Sequence, residues 1–247
     1  MRVAIVNEIS TIDKNPAIVA ALSSSGHEII NAGMAPDRRP HDLTYIHTGL
    51  LSALLLDTGA AEFVVGGCGT GIGYLNSIMQ YPGVVCGLVT NPLDSWLFAR
   101  INGGNAAALQ LNQGYGWAGE VNLSFLLEPL FGIDSREWGV GYPAHRRESQ
   151  NASRACLREL SRISHMPMAE IVRRIPDDTM APILTFPGIA DLLDARQNAR
   201  CETSRALHQK LVDYEYARSR PLIDSDGKDS RIRECMEQKV TKRALIS

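Results

Sequence analysis

The first half of the chain alternates short β-branched apolar runs with longer helical patterns. Val3–Val6 reads as a strand, and Asn15-Pro16 opens a helical pattern that runs through Leu22 and stops at Gly26. His27–Ile30 reads as a second strand, Tyr45–Leu56 as a long apolar helix, and Glu62–Val65 as a third strand that runs straight into glycines. A segment Ile72–Met79, a fourth strand over Gly83–Val89, a helix over Leu93–Ile101, a fifth strand over Asn105–Leu111 and an amphipathic helix over Gly119–Phe131 continue the series. Strands alternating with helices of this length predict βαβ units, hence a parallel sheet covered on both faces. The expected fold is α/β, a Rossmann-like doubly wound sheet of about five strands over residues 1–150.

Beyond Gly141-Tyr142-Pro143 the pattern changes. Residues 151–174 predict an arginine-rich amphipathic helix, and 186–219 one or two more, with Leu192, Leu193, Leu207 and Leu211 on apolar faces. The segment after Pro221 is dense in charge and poor in aromatics, which predicts a solvated helix or partial disorder. Residues 151–247 are thus expected to be a helical C-terminal extension concerned with packing or oligomer contact.

Charge and composition remove several functions. With 25 basic and 27 acidic residues there is no global field to attract nucleic acid or an anionic membrane. No stretch has the apolar length needed to cross a bilayer, and the apolar run of MRVAIVNE is too short for a signal peptide. Five cysteines without paired spacing fit a reducing compartment, so a cytoplasmic location is expected. The absence of CxxC, HExxH or a His/Cys cluster at ligand spacing predicts no metal site and no cofactor.

The candidate chemistry lies in Val64-Val65-Gly66-Gly67-Cys68-Gly69-Thr70-Gly71-Ile72-Gly73, five glycines between a buried strand and a helix start. Glycines admit close backbone approach, and a helix N-terminus offers free N–H groups, so such a loop stabilises a negative oxygen, whether phosphate or enolate. A dinucleotide site would place G-x-G-x-x-G in the first βα turn, and a P-loop would need Gly-Lys-Ser/Thr; neither is present. The bland alternative is a tight turn beside an inert buried cysteine.

Cys-Gly-Thr-Gly-Ile-Gly after a βα repeat resembles the family of type B ribose-5-phosphate isomerase and the galactose-6-phosphate isomerase subunits, and the likeness covers roughly residues 1–150. The resemblance implies a sugar-phosphate aldose–ketose isomerase, of the ribose 5-phosphate/ribulose 5-phosphate type, working through a cis-enediolate. It implies that Cys68 removes the proton next to the carbonyl, and that Thr70 with the N–H groups of Gly69, Gly71, Ile72 and Gly73 holds the enediolate oxygen. A thiol, with an unperturbed pKa of about 8.5, ionises near enough to neutral pH to serve as a base. Asn102-Gly103-Gly104-Asn105 resembles the family's Asn-x-x-Asn turn, whose first asparagine contacts the sugar, often across a dimer interface; a plain Asx turn is the alternative. Tyr45 and His47 match a Tyr-x-His pair at a helix start. Glu8 stands where the family has an aspartate, with Ile9 in place of the following histidine and a helix cap as the alternative role. Arg146 and Arg147, with Arg154 beyond, fall in the region of the family's phosphate-binding arginines.

Two departures bear on the substrate. The position of the family's ring-opening histidine is Ile101, and an arginine is missing near Asn112. Tyr45, His47 or Arg100 would then have to open a ring, or the substrate is already open-chain, as in a tetrose 4-phosphate. An isomerase of such a tetrose or of a hexose 6-phosphate, or a non-catalytic sugar-phosphate-binding protein, are the alternatives. The expected partner is a small-molecule sugar phosphate, and the expected assembly a homodimer or dimer of dimers. His27, His41, His165 and His208 read as structural or surface residues, Trp96, Trp117 and Trp138 as core or interface aromatics, and Cys86 as inert.

Overall fold

The computed structural model describes residues 1–132, 142–196 and 201–219. Five parallel strands, β1 (Arg2–Asn7), β2 (Glu28–Asn31), β3 (Phe63–Cys68), β4 (Cys86–Val89) and β5 (Ala106–Gln110), form one sheet in the order β2-β1-β3-β5-β4. The chain builds outward from β1 in one direction, then returns to place β3 on its other side. The carboxyl ends of β1 and β3 therefore bound the crevice where the strand order reverses, which is where ligands bind in open α/β sheets.

The helices α1 (Asn15–Leu22) and α5 (Gly119–Phe131) cover one face of the sheet, and α2 (Tyr45–Asp57) and α3 (Ile72–Ile78) the other. Val3 and Ile5 alternate with Ala4 and Val6 between the two buried clusters, as the two-residue period of a strand buried on both faces requires. The helix expected over Leu93–Ile101 divides into α4 (Pro92–Leu97) and a π turn at Phe98–Asn102.

The C-terminal part departs from the expected pattern in two ways. The single helix anticipated over 151–174 is two, α6 (Arg147–Ser164) and α7 (Met168–Arg174). Pro167 lacks an N–H and disfavours the helical conformation in the residue before it, so the chain turns at His165-Met166. The pattern reading missed α8 (Asp177–Leu184), which carries a proline inside; α9 (Ile189–Leu192) and α10 (Glu202–Ser219) follow. Met168, Val172, Met180, Ile183, Phe186, Leu193 and Leu207 join the α2 residues Leu50, Leu51, Leu54 and Leu55 in one core. Thr203 Oγ1 adds a 2.6 Å hydrogen bond to Asp57 at the end of α2. By contrast α6 buries no residue, and Leu157, Leu160 and Ile163 are exposed along it. Trp138 and the charged segment after Pro221 lie outside the described residues.

Candidate active site

The reversal of strand order brings Glu8 to Cys68. Glu8 directly follows β1 and its N–H donates to Gly67 O at 3.3 Å, while Cys68 ends β3. Both are buried. The Glu8 carboxylate accepts from the Ser10 N–H at 3.2 Å and from the Ser10 hydroxyl, which caps a 3-10 turn over Ile9–Lys14. The capping alternative for Glu8 is thus realised, and it also pins the carboxylate at the carboxyl edge of the sheet.

The five glycines of the Cys68 loop separate by job. A Cβ on Gly66 would lie 2.0 Å from Cζ of Tyr74, so Gly66 makes room for the fully buried Tyr74 ring. The Tyr74 hydroxyl donates to Ser52 Oγ at 2.7 Å, and Ser52 donates to Thr48 O, which ties α3 to α2. Gly67 makes room for Leu109 O and the Leu111 side chain in the same way. Gly71 adopts φ +74 and caps α3 with its N–H on Cys68 O at 3.3 Å, so it turns the chain instead of offering that N–H to a ligand. Gly73 stands beside the thiol, and Gly69 faces Asn112 and Ser10. The N–H groups of Ile72 and Gly73 belong to the first turn of α3, where no intrahelical acceptor exists.

Around the thiol, the Thr70 hydroxyl is 3.9 Å from Cys68 Sγ. A Cβ on Gly73 would lie 3.3 Å from Cγ of Tyr45 and 3.6 Å from Cys68 Sγ, so the Tyr45 ring and the thiol share one small neighbourhood. Tyr45 (44 %) and Ile72 (49 %) are exposed, leaving the mouth open to a solute. His47 lies two residues further along α2, with Nδ1 accepting from the Thr44 N–H at 3.0 Å. That bond assigns the neutral ring's proton to Nε2. Burial, followed by His41, lowers the His47 pKa below the ordinary histidine value, against an opposing pull from Asp178.

The asparagine pair lies elsewhere. Asn105 directly precedes β5, and its backbone O accepts from Val64 N at 3.0 Å, at the amino edge of the sheet. In the register Val64↔Ala106 and Cys68↔Gln110, that edge is about 16 Å of strand from the thiol. The Asn105 side chain is engaged with Val85 N at 2.8 Å and Gly83 O at 2.9 Å, holding the start of β4. Asn102 ends the π turn and is exposed. Arg154 on α6 bonds the neighbouring Ile101 O, and Arg100 lies over the Trp96 ring, 5.8 Å from its centroid. Arg146 and Arg147 are exposed at the start of α6. Asn102, Arg100 and Arg154 therefore gather around the Phe98–Asn102 turn, on the side of Asn105 and the amino edge.

Two residues beside the loop were not singled out as site residues from the sequence: Ser10 and Asn112. Asn112 N donates to Gly69 O at 3.0 Å, and its Nδ2 donates to Ser10 O at 3.0 Å. The signal available was position alone, since Asn112 comes two residues after β5 just as Thr70 comes two after β3. Cys86 is a partly buried thiol whose pKa is pushed up to about 12 by burial, which disfavours its thiolate. Among the described residues no group of three His, Cys, Asp or Glu side chains could hold a metal ion, and no helix is long and apolar enough to cross a membrane.

A doubly wound parallel sheet with a cysteine–glycine loop at its switch point defines an α/β protein with a ligand site at the carboxyl ends of β1 and β3. The chain belongs to the ribose/galactose isomerase family, whose model matches residues 3–126. It is similar to the crystal structure of 4-deoxy-L-threo-5-hexosulose-uronate ketol-isomerase complexed with a tartrate, at 34% identity and TM-score 0.75 over 88% of this chain and 98% of that one. Ribose-5-phosphate isomerase from Vibrio parahaemolyticus matches equally well, at 34% identity and TM-score 0.77 over 86% and 98%. The type B ribose 5-phosphate isomerase of Leishmania infantum, at 15% identity and TM-score 0.52, shares the fold over 66% of this chain and 98% of its own. The first two thus match most of this chain and the third about two thirds of it.

Proposed function

We propose that this isomerase interconverts the aldose and ketose forms of an acidic, open-chain sugar by a cis-enediolate mechanism, with Cys68 as the base. Cys68 takes a proton from the carbon next to the carbonyl and returns it to the neighbouring carbon. The enediolate oxygen lies against the Ile72 and Gly73 N–H groups and the Thr70 hydroxyl, donors that gain most when charge develops. The observation that carries the reading is the placement of the thiol beside those amides at the switch point, with the Tyr45 ring against the same glycine.

Of the three groups able to replace the missing ring-opening histidine, Tyr45 is the one beside Cys68. His47 uses Nδ1 on Thr44, and Arg100 belongs to the amino-edge group. Asn102 and the arginines serve the site of a second copy in a homodimer, because their own Cys68 lies across the sheet. A sugar phosphate, with a tetrose 4-phosphate first, is the substrate class this reading favours. A second reading, a keto-uronate bearing a carboxylate in place of phosphate, is supported by the 34% identity to the hexosulose-uronate ketol-isomerase, which equals the identity to the ribose-5-phosphate isomerase.

The deciding experiment follows aldose–ketose interconversion of tetrose 4-phosphates, ribose 5-phosphate, hexose 6-phosphates and a 5-keto-hexuronate. Turnover of a phosphate faster than the uronate supports the first reading and the reverse supports the second. No interconversion with any of them overturns both.

A further inference from the structure

Two polar side chains stand over the residue that follows the proposed base. A Cβ on Gly69 would point at Asn112 Nδ2, 3.2 Å away, and at Ser10 Oγ, 3.6 Å away. Both residues are exposed, so a solute can reach them. Neither is free to swing. Asn112 is held by its backbone on Gly69 O and by Nδ2 on Ser10 O, and the next residue, Gln113, also donates to Gly69 O at 2.8 Å. Ser10 gives its hydroxyl proton to Glu8.

These bonds determine what the wall can recognise. Ser10 Oγ has spent its proton and offers lone pairs, Asn112 Oδ1 is an acceptor, and Asn112 keeps its second Nδ2 hydrogen to donate. The Glu8 carboxylate stands directly behind Ser10. Such a wall suits hydroxyl groups, which bring a proton and a lone pair each. It disfavours phosphate or carboxylate, which bring lone pairs and negative charge to a surface already rich in both.

We infer that Ser10 and Asn112 are specificity-determining residues of the Cys68 site, binding the neutral, hydroxyl-bearing end of the sugar while its anionic group lies away from Gly69. This rests on the reading of Cys68 as the base and orients the substrate within it.

The test compares two constants in Asn112→Ala and Ser10→Ala: KM for the fastest sugar phosphate of the panel, and the inhibition constant of inorganic phosphate. KM should rise by about 5- to 10-fold, as for one net hydrogen bond lost, with the phosphate constant changed by less than about twofold. Parallel rises in both constants, in both variants, would mean a structural role or an anion seat at Gly69, and either overturns the inference. No rise in KM overturns it too. Cys68→Ala run alongside separates the levels: turnover surviving there removes the base assignment itself. An inactive Cys68→Ala with unsplit constants removes only the orientation.

Discussion

The ring of Tyr45 and the thiol of Cys68 both close on Gly73, at 3.3 Å and 3.6 Å from where its Cβ would be. A methyl group there takes the space in which substrate must lie between phenol and thiol. Gly73→Ala should therefore lower kcat/KM by ~100-fold, the cost of misplacing reacting groups by an ångström, with thermal stability little changed. Steady-state kinetics and a melting curve on one preparation check both halves.

Cys68→Ala should lose about 10²- to 10⁴-fold in kcat, the usual worth of a general base, while phosphosugar affinity measured by calorimetry is largely kept. Near-normal turnover would remove Cys68 from the mechanism. Thr70→Val, which deletes a hydroxyl 3.9 Å from the thiol and leaves the amides, should cost less.

If Asn102 serves the partner's site, Cys68→Ala and Asn102→Ala proteins, each impaired alone, should complement on mixing. A mixed dimer holds one intact site, so random exchange of equal amounts should restore about a quarter of wild-type activity. No recovery after subunit exchange has been demonstrated would place Asn102 outside the site.

Gly66→Ala should be strongly destabilising, because the added methyl would lie 2.0 Å from the buried Tyr74 ring and neither side can yield. Overpacking of this kind costs ~1–3 kcal/mol or more. Tyr74→Phe removes only the hydrogen bond to Ser52 and should cost about 1 kcal/mol. Denaturant unfolding of the two variants should rank them in that order.

His47 makes stability depend on pH in a stated direction. Its pKa is lowered in the folded protein, chiefly by burial, so the unfolded chain binds the proton more readily. The contribution is fully present above the ordinary histidine pKa of about 6.5 and is lost as pH falls below it toward the lowered value. Protonation also removes the Nδ1 acceptor of the Thr44 N–H. His47→Gln, which can still accept that bond, should lose less stability than wild type between pH 7 and pH 5. Equal losses in the two proteins would show that His47 is not the sensor.

The alternation of strand and helix patterns, read by period alone, determined a parallel α/β sheet and located the Cys68 loop at a strand end. These are local properties: two-residue and 3.6-residue periods and glycine chemistry are written in neighbouring residues. Pro167 shows that even the break between α6 and α7 was written locally. What only the tertiary structure decided is non-local. The order β2-β1-β3-β5-β4 puts Glu8 beside Cys68, and the parallel register carries Asn112 to Gly69 while leaving Asn105 at the far edge. Gly66 and Gly67 read in the sequence only as members of a glycine-rich loop, and the structure shows that they admit Tyr74 and Leu111, which lie 8 and 44 positions along the chain. Strand order and register are selected by burying all five strands and both helix layers at once, and no single segment contains that information.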